Sequence, residues 1–444
     1  MNNISISKNA NINYLCKIAM LGKIRIHPNA DRLFITTLDF QDVVIGQNMK
    51  ENDIVVYFPV ESSINANFLS FTNSYREKEL NNDKTQTGFF EFNGRVKALR
   101  LRGEKSMGYV VPVKQVEDFT SKNISDCVGE QFDTVGETLL VKKYLVPTKE
   151  GGMSVKQGRK PRESRLIDGQ VRLHVDTENL KQNAYKILPD DLISITYKVH
   201  GTSGWVANVL VKRKLSLLEK FLRKVGVNIN DTEYDYVYGS RKVVKNPDMV
   251  DKKEFVHFYG TDIWGEVKDE LKEFIPKGYT FYFEVVGYTK GGKAIQPQYD
   301  YGCEVGKRRV MIYRITFTNS DGLITELSTD DMMEWCKRVG LEYVHHFYTG
   351  TLRKMSMKLD DFSADKLLES EEELGLWARE FISELERRYT EKDCFMCKNA
   401  IPEEGIVLRK ESLFQFETYK LKSFRFLELE SKTLDAGQVD MESQ

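Results

Sequence analysis

Proline is scarce, ten in 444 residues, and neither an internal repeat nor a low-complexity block interrupts the chain. With 41% hydrophobic and 11% aromatic residues there is ample apolar surface to offset chain entropy, which excludes a disordered protein. Cysteine is also sparse. The six are mostly set singly in apolar stretches, so they read as reduced core thiols and exclude a secreted disulfide framework. No apolar run approaches the roughly eighteen residues that span a bilayer, and the polar stretch Met1 to Met20 is unlike a signal peptide. A soluble, cytoplasmic chain with no membrane partner is expected, as a monomer. An excess of one charge is missing too: 65 Lys plus Arg against 66 Asp plus Glu give a net charge of −1. That excludes a uniformly basic polyelectrolyte, and any nucleic-acid surface must come from local segregation of charge.

The length is about three times that of a usual single domain, so two or three cores are expected. Residues 1–141 carry short β segments without a long helix between them, such as Asp53 to Pro59, Arg95 to Arg102 and Tyr109 to Val113, a pattern that predicts a small barrel. In Arg95 to Arg102 the basic residues alternate imperfectly with apolar ones, which reads either as a cationic strand face or as an ordinary solvated one. Residues 142–165 are rich in Lys and Arg, contain Gly151, Gly152 and Pro161, and read as a mobile linker; it either follows a phosphate backbone or simply keeps two domains apart. Residues 166–434 change texture. Longer β segments, Tyr279 to Val286, Arg309 to Ile315 and Gly405 to Arg409, alternate with helical patterns at Leu215 to Val225, Thr329 to Val339 and Lys366 to Tyr389. The class is α+β, with antiparallel sheets and flanking helices, and residues 435–444 form a polar tail.

The segment Ile193 to Trp205 ends an apolar strand on Lys198 and follows it at once with His200, Gly201, Thr202 and Ser203. An amine at a strand mouth is a nucleophile only when neutral. An ordinary lysine, with a pKa near ~10.4, is deprotonated about one part in a thousand at neutral pH, so activation costs roughly 4 kcal/mol. By itself such a lysine is usually structural. Downstream, Lys420 and Lys422 lie two apart on a strand and share a face, as they also would on any solvated strand. Glu284 and Glu404 sit in or beside apolar strands, where an unpaired carboxylate is costly. A hydrated Mg²⁺, the sugar of a nucleotide or a structural salt bridge would partner them.

These segments stand in a fixed order. Lys198-Val199-His200-Gly201 resembles the nucleotidyl-accepting motif of the covalent nucleotidyltransferases, the superfamily of RNA and DNA ligases and mRNA capping enzymes. Tyr238-Gly239-Ser240-Arg241, Phe283-Glu284-Val285-Val286-Gly287, Tyr313, Glu403-Glu404-Gly405-Ile406-Val407 and Tyr419-Lys420-Leu421-Lys422-Ser423 resemble the later motifs in register. The resemblance implies Lys198 as the catalytic nucleophile. It places Lys198, His200, Gly201, Arg241, Glu284, Tyr313, Glu404, Lys420 and Lys422 around the nucleotide, with Arg241 on the ribose or the RNA end and Tyr313 stacked on the purine. Glu284 and Glu404 would hold the metal. His200 stands where many members carry Asp, and Ser203 where DNA ligases and capping enzymes carry Arg; both lean towards an RNA ligase.

Ile26-His27-Pro28-Asn29-Ala30-Asp31-Arg32-Leu33 resembles the opening of tRNA-binding OB domains, and an OB-like barrel ahead of the transferase domain is similar to one RNA ligase branch. Together the two resemblances imply an ATP-dependent RNA ligase using ATP and Mg²⁺ or Mn²⁺, joining RNA 3′-OH and 5′-phosphate ends, with the N-terminal part assigned to RNA. A GTP-using capping enzyme and a non-catalytic nucleic-acid-binding protein are the alternatives. Cys394-Phe395-Met396-Cys397 has metal-ligand spacing but no second pair, so no zinc is assigned. Lys290-Gly291-Gly292-Lys293 lacks the full P-loop pattern and reads as a turn. His345-His346 reads as a strand-edge pair.

Overall fold

The computed structural model describes residues 3–146, 165–173, 177–245 and 259–437. Two large sheets carry the C-terminal part. The first has five strands, in the order Glu178–Asn179, Glu417–Lys422, Gly405–Lys410, Leu192–Lys198 and His346–Thr351. The second has six, in the order Val243–Lys245, Thr232–Ser240, Thr202–Lys212, Tyr279–Gly287, Arg308–Thr318 and Ile324–Glu326. All pairings are antiparallel except Glu178–Asn179 with Glu417–Lys422.

Alternation decides what each face meets. In the first sheet Ile193, Ile195, Ile406, Leu408, Tyr419 and Leu421 point to one side and pack on Trp377, Phe381 and Leu385 of the helix Glu371–Tyr389. The other side carries Ser194, Thr196, Lys198, Arg409, Lys420 and Lys422 into a cleft. In the second sheet Val206, Phe281, Phe283, Val285, Ile312 and Ile315 are covered by the helices Ile263–Leu271 and Thr329–Val339. The chain crosses from one sheet to the other within Val199-His200-Gly201, directly after Lys198.

The N-terminal part is built from small antiparallel sheets: Tyr109–Pro112, Ile54–Phe58, Cys16–Met20 and Gln131–Phe132 in one, Ile24–Ile26, Leu33–Leu38 and Gln41–Gly46 in another. Its core gathers Ile18, Val56, Phe58, Phe68, Val111 and Phe132.

Several boundaries differ from the sequence reading. The stretch Arg95 to Arg102 does not present a cationic face. Only Ala98–Leu101 is a strand, and Arg95 is buried, donating to Ser431 O at 2.7 Å and pairing with Asp435 at 2.5 Å. Lys142 and Lys143 belong to a strand, Val141–Lys143, paired with Ser62–Ile64, and Arg165 is anchored on Glu233 and Asp235; the rest of the expected linker, from 147 to 164, lies outside the described residues. The helical pattern from Lys366 to Tyr389 is broken at Ser370, whose hydroxyl caps the next helix, so two helices replace one. Asp435 is the last residue of the helix Phe424–Asp435 and not the start of a tail; 438–444 lie outside the described residues. No helix among the described residues is long and apolar enough to cross a membrane.

One fully buried ion pair ties the second sheet together. Arg314 donates to Glu326 through Nε at 2.8 Å and Nη2 at 2.5 Å, with the guanidinium between the rings of Tyr282 and Phe416 at 4.4 and 3.8 Å. Removing one partner leaves a buried charge uncompensated. Glu326→Gln is expected to cost about 3–5 kcal/mol in denaturant unfolding, and the double change Arg314→Met with Glu326→Leu to recover most of it; a loss below about 1 kcal/mol for the single change contradicts this.

Candidate active site

The first sheet's cleft face is a grid of three strands by three rungs. Lys198 pairs with Gly405 and Gly405 with Lys422; Thr196 pairs with Val407 and Val407 with Lys420; Ser194 pairs with Arg409 and Arg409 with Thr418. All but Gly405 line one cleft. Because Gly405 has no side chain, the amines of Lys198 and Lys422 approach each other across it. The glycine is required on two further grounds: its φ is +136°, and a Cβ there would lie 2.0 Å from Leu421 O.

Glu404, next to Gly405, is buried at that junction. Its Oε1 is 2.8 Å from Lys198 Nζ and 3.6 Å from Lys422 Nζ, and its Oε2 is 3.7 Å from His200 Nδ1. Lys198 is therefore not the exposed amine that the strand mouth suggests: its side chain is 12% exposed and held by a carboxylate. Lys422 is further engaged by Glu430 at 3.0 and 3.1 Å. Burial works against the Lys422 charge, but Glu430 and then Glu404 outweigh it and raise its pKa well above the ordinary lysine value.

The second sheet supplies the opposite wall. Glu284, facing Ser203 across the strand pair, is mostly buried and lies beside Gly201, where a Cβ would come within 3.0 Å of its Oε2. Arg241 sits in the turn after Thr232–Ser240. Tyr313 is the extra residue of a β-bulge: Tyr282 pairs with Arg314 and Phe283 with Ile312, leaving Tyr313 unmatched and aimed at the cleft. Its hydroxyl meets Ser203 Oγ at 2.9 Å, and burial, then Glu284, pushes its pKa up.

Lys198, Arg241, Glu284, Tyr313, Lys420 and Lys422 thus share one cleft. His200 and Gly201 do not line it. The His200 ring packs edge-on against Tyr299 and Phe426 at 4.9 and 5.0 Å, and its backbone N–H donates to Tyr301 at 2.6 Å, so it braces Glu404 from behind. Gly201 provides close approach to the strand of Glu284, and its carbonyl accepts from Gln296 at 2.8 Å. His346 starts the edge strand of the first sheet, as its sequence suggests.

Three contributions were missed. Arg409 is buried at the far rung, over Phe416 at 5.4 Å, and could have been found from its alternation with Val407. Glu430 comes from the helix after Lys422, and its pairing depends on how that helix docks. The third is the N-terminal part itself: Asn13, Tyr14, Glu61, Lys143 and Tyr144 line the same cleft, so that part is not reserved for a remote surface.

Chemically this is a cleft with three lysines on one wall and an arginine and an aromatic ring on the other, suited to a polyanion bearing a planar group. Among the described residues no group of three or more His, Cys, Asp or Glu could hold a metal ion, at Cys394 and Cys397 or elsewhere. Two carboxylates, Glu284 and Glu404, flank the His200-Gly201 crossing, a donor set that suits a hydrated Mg²⁺ sharing its remaining positions with phosphate and water.

Neither a protein-family model nor a curated protein sequence matches the chain. Solved structures do. A Naegleria gruberi RNA ligase with pyrophosphate superposes with a TM-score of 0.55 at 14% identity, over 95% of this chain and 100% of that one. Variants of the same ligase give 0.53 at 15% identity with ATP and Mn, over 95% and 99%, and 0.54 at 15% identity with AMP and Mn, over 94% and 98%. The chain shares the fold of this RNA ligase. The likeness runs through both the N-terminal part and the two-sheet part, since it covers nearly the full length of each chain.

In this fold the Gly405 rung is the narrowest constraint. Gly405→Ala is expected to destabilise by about 1–3 kcal/mol, whereas Gly291→Ala, in open space with its nearest neighbour at 3.8 Å, stays within about 0.5 kcal/mol. Equal unfolding midpoints for the two variants would contradict the close-approach reading.

Proposed function

We propose that this chain is an ATP-dependent RNA ligase that joins RNA 3′-OH and 5′-phosphate ends through an adenylate on Lys198. The observation that carries the reading is the Lys198-Gly405-Lys422 rung on an RNA-ligase fold, with Tyr313 and Arg241 opposite. The solved structures of the Naegleria gruberi ligase include complexes with ATP, AMP or pyrophosphate, which supports ATP as the nucleotide here.

In the first step Lys198 passes one ammonium proton to Glu404 Oε1, the carboxylate oxygen 2.8 Å away, and the Nζ lone pair so freed attacks the α-phosphorus. The N–P bond forms, the P–O bond to pyrophosphate breaks, and the nitrogen's second proton leaves to solvent. Lys420 and Lys422 neutralise phosphate charge, Tyr313 stacks on the purine and Arg241 contacts the ribose or the RNA end. A divalent cation, Mg²⁺ or Mn²⁺, held by Glu284 and Glu404, supplies further charge neutralisation when bound. In the second step an RNA 5′-phosphate oxygen attacks the same phosphorus, and Lys198 departs and regains its proton. In the third a 3′-hydroxyl attacks the RNA phosphorus, AMP leaves and the phosphodiester is made. We assign residues 1–141 as an OB-like RNA-binding domain and 166–434 as the adenylyltransferase domain, working as a cytoplasmic monomer.

The test is a sealing assay on nicked and single-stranded RNA carrying 5′-phosphate ends, with ATP or GTP. Wild type is expected to seal with ATP and to release AMP and pyrophosphate. Lys198→Ala should fail with ATP yet still seal RNA supplied with a pre-adenylylated 5′ end, because the last step makes no bond to Lys198. Retention of GTP in place of ATP, or ATP-dependent sealing by Lys198→Ala, overturns the proposal.

A further inference from the structure

Glu430 is out of place in a site that takes phosphates. A carboxylate on the wall of a cationic cleft repels the ligand, so its presence calls for a compensating role. Its surroundings supply one. Both Glu430 oxygens accept from Lys422 Nζ, at 3.0 and 3.1 Å, and the same ammonium lies 5.0 Å over the ring of Phe426, one helical turn before Glu430. Glu404 holds it from the other side at 3.6 Å. Lys422 is therefore caged by two carboxylates and an aromatic face.

The helix that carries Glu430 is fixed at both ends. At its start the Ser423 hydroxyl accepts from Phe426 N–H and donates to Glu403 O at 2.8 Å, while Ser423 N–H donates to Glu404 O at 3.0 Å. The helix is thereby stitched to the segment that bears Glu404. At its far end Arg95 of the N-terminal part donates to Ser431 O and pairs with Asp435, which also takes Lys97 at 2.9 Å.

Charge balance leads to the same residue. Lys198 and Lys422 converge on one oxygen of Glu404, so the two ammonium groups share a single carboxylate there. Glu61, from the N-terminal part, is a second carboxylate nearby; it accepts from Ser431 Oγ at 3.1 Å and faces Arg95 at 3.5 Å. Burial, then the neighbouring Glu430, pushes the Glu61 pKa up, against the pull of Arg95. Burial opposes the charge on Glu430 as well, but Lys422 overcomes it and lowers its pKa. Of the two carboxylates, Glu430 is the one that grips Lys422 directly.

We propose that Glu430 is a positioning residue for nucleotidyl transfer: it fixes the Lys422 ammonium over the cleft before the nucleotide arrives, so that this cation needs no reorganisation when charge develops on the α-phosphate. A free lysine side chain carries about 2 kcal/mol of rotamer entropy, and a preorganised charge is worth more in a dry site than one that must be gathered from solvent. The inference rests on the adenylyl-transfer reading above and deepens it. It also names the route by which the N-terminal part acts on the chemistry, through Arg95 and the helix, in addition to walling the cleft.

The experiment is single-turnover transfer of α-labelled ATP to the full chain, comparing wild type, Glu430→Gln, Glu430→Asp, Lys422→Ala and the double variant of Glu430→Gln with Lys422→Ala. Glu430→Gln keeps the size and loses the charge. Its rate constant at saturating ATP is expected to fall about tenfold, with the labelled fraction and the half-saturating ATP concentration both within about threefold of wild type. Glu430→Asp should recover part of the rate, and Glu430→Gln should add nothing on top of Lys422→Ala, since it acts through that lysine. An unchanged rate constant, a loss confined to the labelled fraction, or an effect that multiplies with that of Lys422→Ala would each overturn the positioning role. Should Glu430→Gln not fold, Glu430→Asp is judged by the same criteria. If wild type itself takes no label, the adenylyl-transfer reading fails, and that result is distinct from all of these.

Discussion

Two ammonium groups share one carboxylate oxygen where the chain passes from one sheet to the other, and the rest of the cleft is arranged around that contact. Lys198 and Lys422 come from strands that are not neighbours, and the strand between them puts Gly405 on their rung. Glu404 is the residue before that glycine. One backbone feature thus sets two cleft lysines and their common counterion. A side chain at position 405 would collide with the Leu421 carbonyl, on the strand that delivers Lys422.

Around this centre the two sheets divide the work by chemistry. The first has an oily face under the Trp377 helix and a cleft face that carries Lys198, Lys420 and Lys422, the direct product of period-two alternation in Lys420-Leu421-Lys422 and Ser194 to Lys198. The second contributes Glu284 from a regular strand and Tyr313 from a bulge, so the aromatic ring reaches the cleft through a local break in register. The N-terminal part closes a third side and holds the last helix by Arg95. Lys198 and Lys422 are both held by Glu404 before any ligand enters. A polyanion must therefore draw Lys198 and Lys422 away from Glu404, whereas Glu430 and Phe426 keep Lys422 from leaving the wall.

Much of this was legible in the sequence. The α+β class, the strands around Lys198, Glu284, Tyr313 and Lys422, and the helix Thr329–Val339 follow from apolar periodicity, and the ordered motifs single out six residues that the fold brings into one cleft. The illegible remainder depends on docking between distant segments. Arg95 read as part of an exposed face, cationic or merely solvated, because its alternation is local, yet its partners Ser431 and Asp435 are more than three hundred residues away. Glu430 has no local signal, since nothing in a helical stretch says which neighbour its carboxylate will meet. Ser370 splits a helix because a capping hydroxyl there outweighs the continuing apolar pattern. His200 matched a motif by position, but its ring is spent on bracing Glu404.

The central claim is that one amine becomes bonded to phosphorus. Its most direct measurement is peptide mass mapping of the full chain after incubation with ATP and Mg²⁺, under conditions that preserve a phosphoramidate. The account predicts AMP on the peptide containing Lys198, with fragmentation placing it on that side chain. AMP on any other residue, or a protein that releases pyrophosphate with no adenylated peptide, would contradict it.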